Sequence, residues 1–200
     1  MGRDSPVSGE IGLLWLGVPS SARSELSEQL VADLRSRRPE ALDALLARHG
    51  AEVHAVAFMI TRNPSDAEEV TADALLAAWR KIGSLRDPGR LRPWLLRITT
   101  RLALRQQART REVVPLAPRL LERLADPVPT VMSRLVLAEA LDELPPRMRA
   151  AVVLHHVAGL SVAEVAAATG RSQNTVKTQL REALARLRVA FSEPGTRTRT

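Results

Sequence analysis

The chain of 200 residues has no cysteine and no tyrosine, and its aromatic rings are limited to Phe58, Phe191, Trp15, Trp79 and Trp94. Without thiols there is neither a disulfide framework nor a thiolate metal site, and the chain is compatible with a reducing cytosol. So few rings also exclude extensive base stacking as a binding mode. Histidine is equally sparse. His49 and His54 lie five apart, and His155 and His156 are neighbours that point different ways on a helix, so no metal site is expected. Long apolar runs are missing as well: Ile11 to Val18 is too short to span a bilayer. It follows Arg3 and Asp4 rather than a basic n-region, so neither a signal peptide nor membrane insertion is expected, and residues 1–23 read as a flexible leader. There is no H-E-x-x-H, P-loop, G-x-S-x-G or convincing carboxylate constellation, so neither an enzyme nor a cofactor is expected. One absence is local: from Pro88 to Arg111 there is no acidic residue.

What is present is charge of uneven sign on a helical pattern. Lys plus Arg number 29 against 22 Asp plus Glu, a net charge of +7, while 45% of the residues are hydrophobic, enough for real cores. A polyanionic partner fits that balance. Residues 86 to 111 carry eight arginines against Asp87 alone, whereas residues 61 to 79 set Arg62 against Asp66, Glu68, Glu69 and Asp73. An acidic face and a basic face on one chain point to two different partners.

No run of alternating β-branched residues occurs, and helical spacing recurs throughout, so the fold is expected to be all-α. Prolines divide it. Helices are expected at about 24–37, 39–62, 65–82 and 89–109, and again at about 130–143, 146–158, 161–169 and 172–191. Between the two groups, residues 110–129 contain Pro115, Pro118, Pro127 and Pro129 and read as a linker; residues 192–200 read as a disordered tail.

The segment 161–188 carries the most specific signal. Ser161 and Glu164 form an S-x-x-E capping box, Gly170 suits a left-handed helix cap, and Ser172 can cap a second helix. Val176, Leu180, Leu184 and Leu187 then make a seam that leaves Gln173, Asn174, Lys177, Thr178 and Arg181 outward. Amides and cations at the start of such a helix suit major-groove edges, as in a helix-turn-helix. Upstream, Asp66, Glu69, Asp73, Leu76 and Arg80 fall on one helical stripe, a docking face for a basic partner helix. On the next helix Leu91, Leu95, Ile98 and Leu102 are the expected buried seam, while Arg97, Arg101, Arg105 and Arg109 repeat every fourth residue. Like charges at that spacing repel by about a few tenths of a kcal/mol per pair. Phosphates would relieve them, with Trp94 close by as a stacking ring or a core residue.

Together these segments resemble the bacterial sigma factors of the extracytoplasmic-function type. Asp66 to Trp79 (Asp-Ala-Glu-Glu-Val-Thr-Ala-Asp-Ala-Leu-Leu-Ala-Ala-Trp) is similar to the family's D-A-E-D-L-V-Q-E-T-F-L-R-A-W helix, and Trp94-Leu95-Leu96-Arg97-Ile98 to its W-L-Y-R-I. Leu144-Pro145-Pro146-Arg147-Met148-Arg149, followed by the helix-turn-helix, resembles its L-P-x-x-x-R and T-V-K segment. The resemblance implies two small helical domains on a flexible linker, a region 2-like domain at 24–109 and a region 4-like domain at 130–191. It implies binding of core RNA polymerase, through the largest-subunit clamp helices and the flap, by Asp66, Glu69, Asp73, Leu76 and Arg80. Minus-10 DNA would fall to Arg86, Arg90, Trp94, Arg97, Arg101 and Arg105. Minus-35 DNA would fall to Arg171, Ser172, Gln173, Asn174, Thr175, Lys177, Thr178 and Arg181. An anti-sigma factor and a cytoplasmic place of action follow from the same resemblance.

The sequence departs from the family at several points. Ala72, Leu75 and Leu96 stand where glutamine, phenylalanine and tyrosine are usual, and Arg101 and Arg105 where asparagine and aspartate are. The loop Gly83 to Gly89, which corresponds to the family's base-capturing loop, has no aromatic. Two other readings compete. A stand-alone helix-turn-helix regulator would bind its operator tightly without polymerase, and a helical adaptor would show no salt-dependent affinity for DNA.

Overall fold

The computed structural model describes residues 20–109 and 141–192, with side chains from 25 to 109 and from 141 to 188. Among these residues all regular structure is helical. The first group comprises α1 (Ser20–Arg35), α2 (Pro39–Thr61), α3 (Pro64–Lys81) and α4 (Leu91–Arg109). The second comprises α5 (Pro146–Val152), α6 (Val162–Thr169) and α7 (Gln173–Ser192). The expected leader, the linker, the helix beginning near 130 and the tail lie outside the described residues, except for Ser20 onward, Leu141, Asp142 and Ser192, which are helical, and Glu143, which is in a turn.

Prolines set the starts. Pro39 and Pro64 occupy the first turn of α2 and α3, where a missing N–H costs nothing and the fixed φ is already helical. Asn63 caps α3, its side-chain oxygen accepting from the Asp66 N–H at 3.1 Å. Pro88 opens a 3-10 turn, Pro88–Arg90, that runs into α4, so Pro93 also falls within a first turn.

Two apolar clusters hold the chain together. One belongs to the first group: Leu30, Val31 and Leu34 of α1 meet Leu45 and Val53 of α2, Ala74, Leu75 and Ala78 of α3, and Leu91, Trp94 and Leu95 of α4. The other crosses between groups. Val56, Phe58 and Ile60 of α2, Ala67 and Val70 of α3, and Leu96 and Ala103 of α4 join Met148, Leu154, Leu160, Val165, Val176 and Leu180. The two helical domains therefore share a core.

This sharing corrects the seam expected on α4. Leu91 and Leu95 are buried, but Ile98 and Leu102 are only half-buried, whereas Leu96, Thr99, Thr100 and Ala103 are enclosed. The physical reason is that α6 packs across a second side of this helix. The enclosed threonine hydroxyls are satisfied locally, Thr99 donating to the Leu95 carbonyl at 3.1 Å and Thr100 to that of Leu96 at 2.8 Å. A second correction concerns the single helix expected at 146–158. Its latter part, Val153–Val157, is a π turn in which the Ala158 N–H reaches back to the Val153 carbonyl at 2.9 Å. Along α7 the buried stripe is Val176, Leu180, Ala183 and Leu187, with Leu184 half-buried.

Polar contacts bridge the groups around the shared core. Arg62 ends α2 in the left-handed region at φ 59°, a conformation uncommon outside glycine. Its guanidinium binds Asp142 through Nε to Oδ1 at 2.6 Å and Nη2 to Oδ2 at 3.1 Å, and lies 5.5 Å from the Phe58 ring centroid. Arg149, 5% exposed, donates from Nη1 to the Ile60 carbonyl and from Nη2 to that of Leu144, each at 3.1 Å. Arg92 pairs with Glu52 and also donates to the Ala158 carbonyl at 2.6 Å.

Candidate nucleic-acid interface

The helix-turn-helix is built from its own short segment. The Ser161 hydroxyl accepts from the Glu164 N–H at 3.3 Å, and the Glu164 carboxylate accepts from the Ser161 N–H at 2.9 Å, a reciprocal box that starts α6. Burial alone would raise the Glu164 pKa. The Ser161 hydroxyl and N–H, with Arg90 and Arg92 nearby, outweigh it and hold the carboxyl below its ordinary range. Gly170 closes α6 at φ 68°, a left-handed cap that a side chain would strain. Ser172 then caps α7, accepting from the Thr175 N–H at 3.1 Å. Ser172 and Thr175, both in the expected reading set, therefore shape the start of the helix, their hydroxyls 2.9 Å apart. Arg171, Gln173, Asn174, Lys177, Thr178 and Arg181 stand exposed on one end of it. That is the arrangement a major groove admits.

On α3 four of the five stripe residues, Glu69, Asp73, Leu76 and Arg80, are exposed, Leu76 by 43%. The fifth is drawn inward. Asp66 is 9% exposed and accepts from Gln106 Nε2 of α4 at 3.1 Å, and the same amide donates to Glu69 at 3.1 Å. Of the departures, Leu75 is buried in the first-group cluster and Leu96 in the shared core, so neither lies on the surface of the packed chain. Ala72 is exposed and does change the surface.

On α4, Arg101, Arg105 and Arg109 are exposed and Arg97 is half-buried. Arg101 donates to the Ala167 carbonyl near the end of α6 at 3.2 Å, and Arg90 lies 3.9 Å from Glu164. Helix α6 thus engages two arginines of this face, which stay exposed. Trp94 is corrected as a stacking residue: it is 8% exposed and packed in the first-group core, where it offers no ring face.

The loop before α4 has two apolar plugs and a polar rim. Ile82 and Leu85 are buried at 2% and 4%, while Ser84, Arg86 and Asp87 are exposed. The Ser84 hydroxyl donates to the Lys81 carbonyl at 2.8 Å, and Asp87 accepts from the Gly89 N–H at 2.9 Å, an Asx turn that fixes the chain's re-entry into α4.

Sequence reasoning missed the bridging arginines Arg62, Arg92 and Arg149 and their partners Glu52 and Asp142. Arg149 had a signal in the L-P-x-x-x-R pattern. The others are exposed by no local pattern, because their partners are 40 and 80 residues away. At Arg149 burial lowers the guanidinium pKa, Asp142 raises it and Arg62 lowers it again. Arg62 bonds that carboxylate directly, while Arg149 is held by backbone carbonyls within reach of its charge.

Residues 45–112 match the family described as Sigma-70 region 2, and residues 128–187 that described as Sigma-70, region 4. The ECF RNA polymerase sigma factor SigM of Mycobacterium tuberculosis (strain H37Rv) is 35% identical over 150 residues, covering 74% of this chain and 75% of that one. RNA polymerase sigma factor SigV of Bacillus subtilis is 27% identical over 145 residues, 72% of this chain and 87% of its own. Of solved structures, CnrH in complex with the cytosolic domain of CnrY superposes with a TM-score of 0.63 at 26% identity, covering 83% of this chain and 97% of that one. The sigma factor RpoE of Bartonella quintana, in complex with the anti-sigma factor NepR, shares the fold with a TM-score of 0.60 at 22% identity, over 76% and 98% of the two chains.

Proposed function

The chain belongs to the extracytoplasmic-function family of RNA polymerase sigma factors, and from that premise we propose how its surfaces divide the work. Its function is the family's: it binds core RNA polymerase and directs transcription initiation at specific promoters. The exposed stripe Glu69, Asp73, Leu76 and Arg80 docks on the polymerase clamp helices, and Asp66 joins it when Gln106 lets go. Arg171, Gln173, Asn174, Lys177, Thr178 and Arg181 read the minus-35 duplex, with Ser172 and Thr175 holding the helix start. Arg86, Arg90, Arg97, Arg101 and Arg105 take the minus-10 strands. Nucleotide chemistry stays with the polymerase, and this chain acts beside it in the cytoplasm. Among the described residues no helix is long and apolar enough to cross a membrane.

One physical requirement follows. The two elements lie about 25 base pairs apart, roughly 85 Å at 3.4 Å per pair. A compact chain of 200 residues has a radius of gyration of about 16 Å, too small to touch both. The shared core must therefore open on the polymerase, and the 20 residues of 110–129, if fully extended, reach roughly 66–72 Å. Opening releases Arg101 from the Ala167 carbonyl and Arg90 from Glu164. An anti-sigma factor of the kind that holds the Bartonella quintana protein would act by keeping these surfaces closed.

The observation that carries this division is the presence on one chain of an exposed acidic stripe, an arginine face and a capped recognition helix. The stand-alone regulator is not favoured, since both halves match sigma regions. Core polymerase with this chain should yield run-off transcripts from a pool of templates randomised at both elements. Glu69→Lys with Asp73→Lys should abolish co-purification with core. Intact co-purification of that double variant would overturn the docking assignment.

A further inference from the structure

Helix α1 lies before the residues that match region 2, yet it grips the loop that leads into α4. Arg35, the last residue of α1, donates from Nη2 to the Leu85 carbonyl at 2.6 Å across fifty residues of sequence. Beneath that bond the Leu85 side chain, 4% exposed, enters the cluster formed with Leu30, Val31 and Leu34 of α1. Two residues on, Arg37 takes the left-handed conformation at φ 56°, which turns its side chain onto the end of α3. There it donates to the carbonyls of Trp79 and Arg80, with its guanidinium 5.5 Å from the Trp79 ring centroid. These are the last carbonyls of α3, which lack intrahelical partners and favour a cation. The loop's middle is thus held by the last residue of α1 and its entrance by Arg37 just beyond it. Its exposed rim, Ser84, Arg86 and Asp87, is what remains free to meet DNA.

We propose that Arg35 is a positioning residue for minus-10 recognition: by holding the Leu85 carbonyl it sets the presentation of Ser84, Arg86 and Asp87 to the promoter. The inference rests on the reading of that loop as part of the minus-10 surface. Arg38, which pairs with Asp33 on the same helix end at 3.0 Å, supplies a matched loss of charge away from the loop.

The test uses full-length protein in holoenzyme with core polymerase. The probe is a pool of duplex templates randomised at the minus-35 and minus-10 segments at fixed spacing, and transcribed templates are sequenced. Arg35→Ala should flatten the minus-10 preference by about tenfold, the loss that one hydrogen bond from a charged donor represents. The minus-35 preference should not change, and Arg35→Lys should restore part of the minus-10 preference. Arg38→Ala should match the wild type at both segments. A purely structural loss would lower yield and leave both preferences intact, which would overturn the proposal. Arg86→Ala and Asp87→Ala separate the two levels. If they flatten the minus-10 preference and Arg35→Ala does not, the positioning role is wrong and the loop reading stands. If neither alters it, the loop reading itself fails and the inference with it.

Discussion

The recognition helix α7 is shaped by residues of the segment 161–175, whereas the loop Ile82–Arg90 and the arginine face of α4 depend on partners far away in sequence. Ser161, Glu164, Gly170 and Ser172 each act within a few residues of themselves. Arg35 reaches Leu85 across fifty residues and Arg101 reaches Ala167 across sixty-six. The surface proposed to read duplex is therefore formed and exposed in the packed chain. The surface proposed for melted DNA is conditional, because its arginines also bond α6.

The largest expected effect strikes what the two regions share. Phe58 is 1% exposed, belongs to the inter-group core and underlies the Arg62 guanidinium. Phe58→Ala should cost about 3–5 kcal/mol in urea unfolding. Hydrogen exchange should show protection lost first in α2, α4 and α5, while the capped start of α7 keeps its own. Equal loss across α7 would break the distinction between a locally built and a remotely held surface.

Acid provides the second test. His49 is buried, and burial together with the charges of Arg48 and Arg92 lowers its pKa to about 4 from an ordinary 6.5. Between those values the unfolded chain takes up the proton and the folded chain does not. Stability is thus fully present above the unfolded pKa and is lost as pH falls from 6.5 toward 4, by about 3 kcal/mol. His49→Gln should flatten that slope in melts run across the window. His156 is also lowered, first by burial and then by His155, but it is exposed, and its substitution should leave the slope nearly unchanged. A slope that survives His49→Gln would assign the acid sensitivity elsewhere.

Asp142→Ala comes next. Removing one partner of a buried pair costs about 3–5 kcal/mol, but Asp142 is 42% exposed, so about 2 kcal/mol is expected here. Arg62 would lose the carboxylate that offsets its charge near Arg149, while keeping its place over Phe58. Opening relieves that repulsion. The radius of gyration from small-angle scattering should rise, and affinity for a single-stranded oligonucleotide pool should increase with it. An unchanged scattering profile would show that the apolar core alone keeps the chain closed.

The contrast also explains what was legible in the sequence. Helix starts at Pro39 and Pro64 and the whole turn from Ser161 to Ser172 follow from local chemistry, and they stand where spacing put them. The stripe on α3 was legible except for Asp66, whose burial depends on Gln106 forty residues on. Of the two readings of Trp94 the core one holds, and the α4 seam differs from expectation because a helix packed on two sides carries a broader apolar surface than a single periodic stripe discloses. The π turn at Val153–Val157 answers to no composition signal, since its five residues also suit an ordinary helix.

The smallest expected effect tests the locally built surface by itself. Ser172 offers its oxygen to the Thr175 N–H and lies within 2.9 Å of the Thr175 hydroxyl, so Ser172→Ala removes a cap and frees that hydroxyl. The cost should be about 1 kcal/mol in thermal or urea unfolding, the usual value for such a cap. Because Val176 remains buried and its N–H still reaches the Ser172 carbonyl at 3.0 Å, the helix should persist with a frayed first turn. Fraying there moves Gln173 and Asn174 and leaves Arg181 where it is. Template selection should therefore lose preference at the minus-35 bases nearest the helix start while minus-10 preference and yield on the best templates stay near wild type. A uniform loss at both elements would mean that the recognition helix, too, is held by the rest of the chain, and the difference between the two surfaces would collapse.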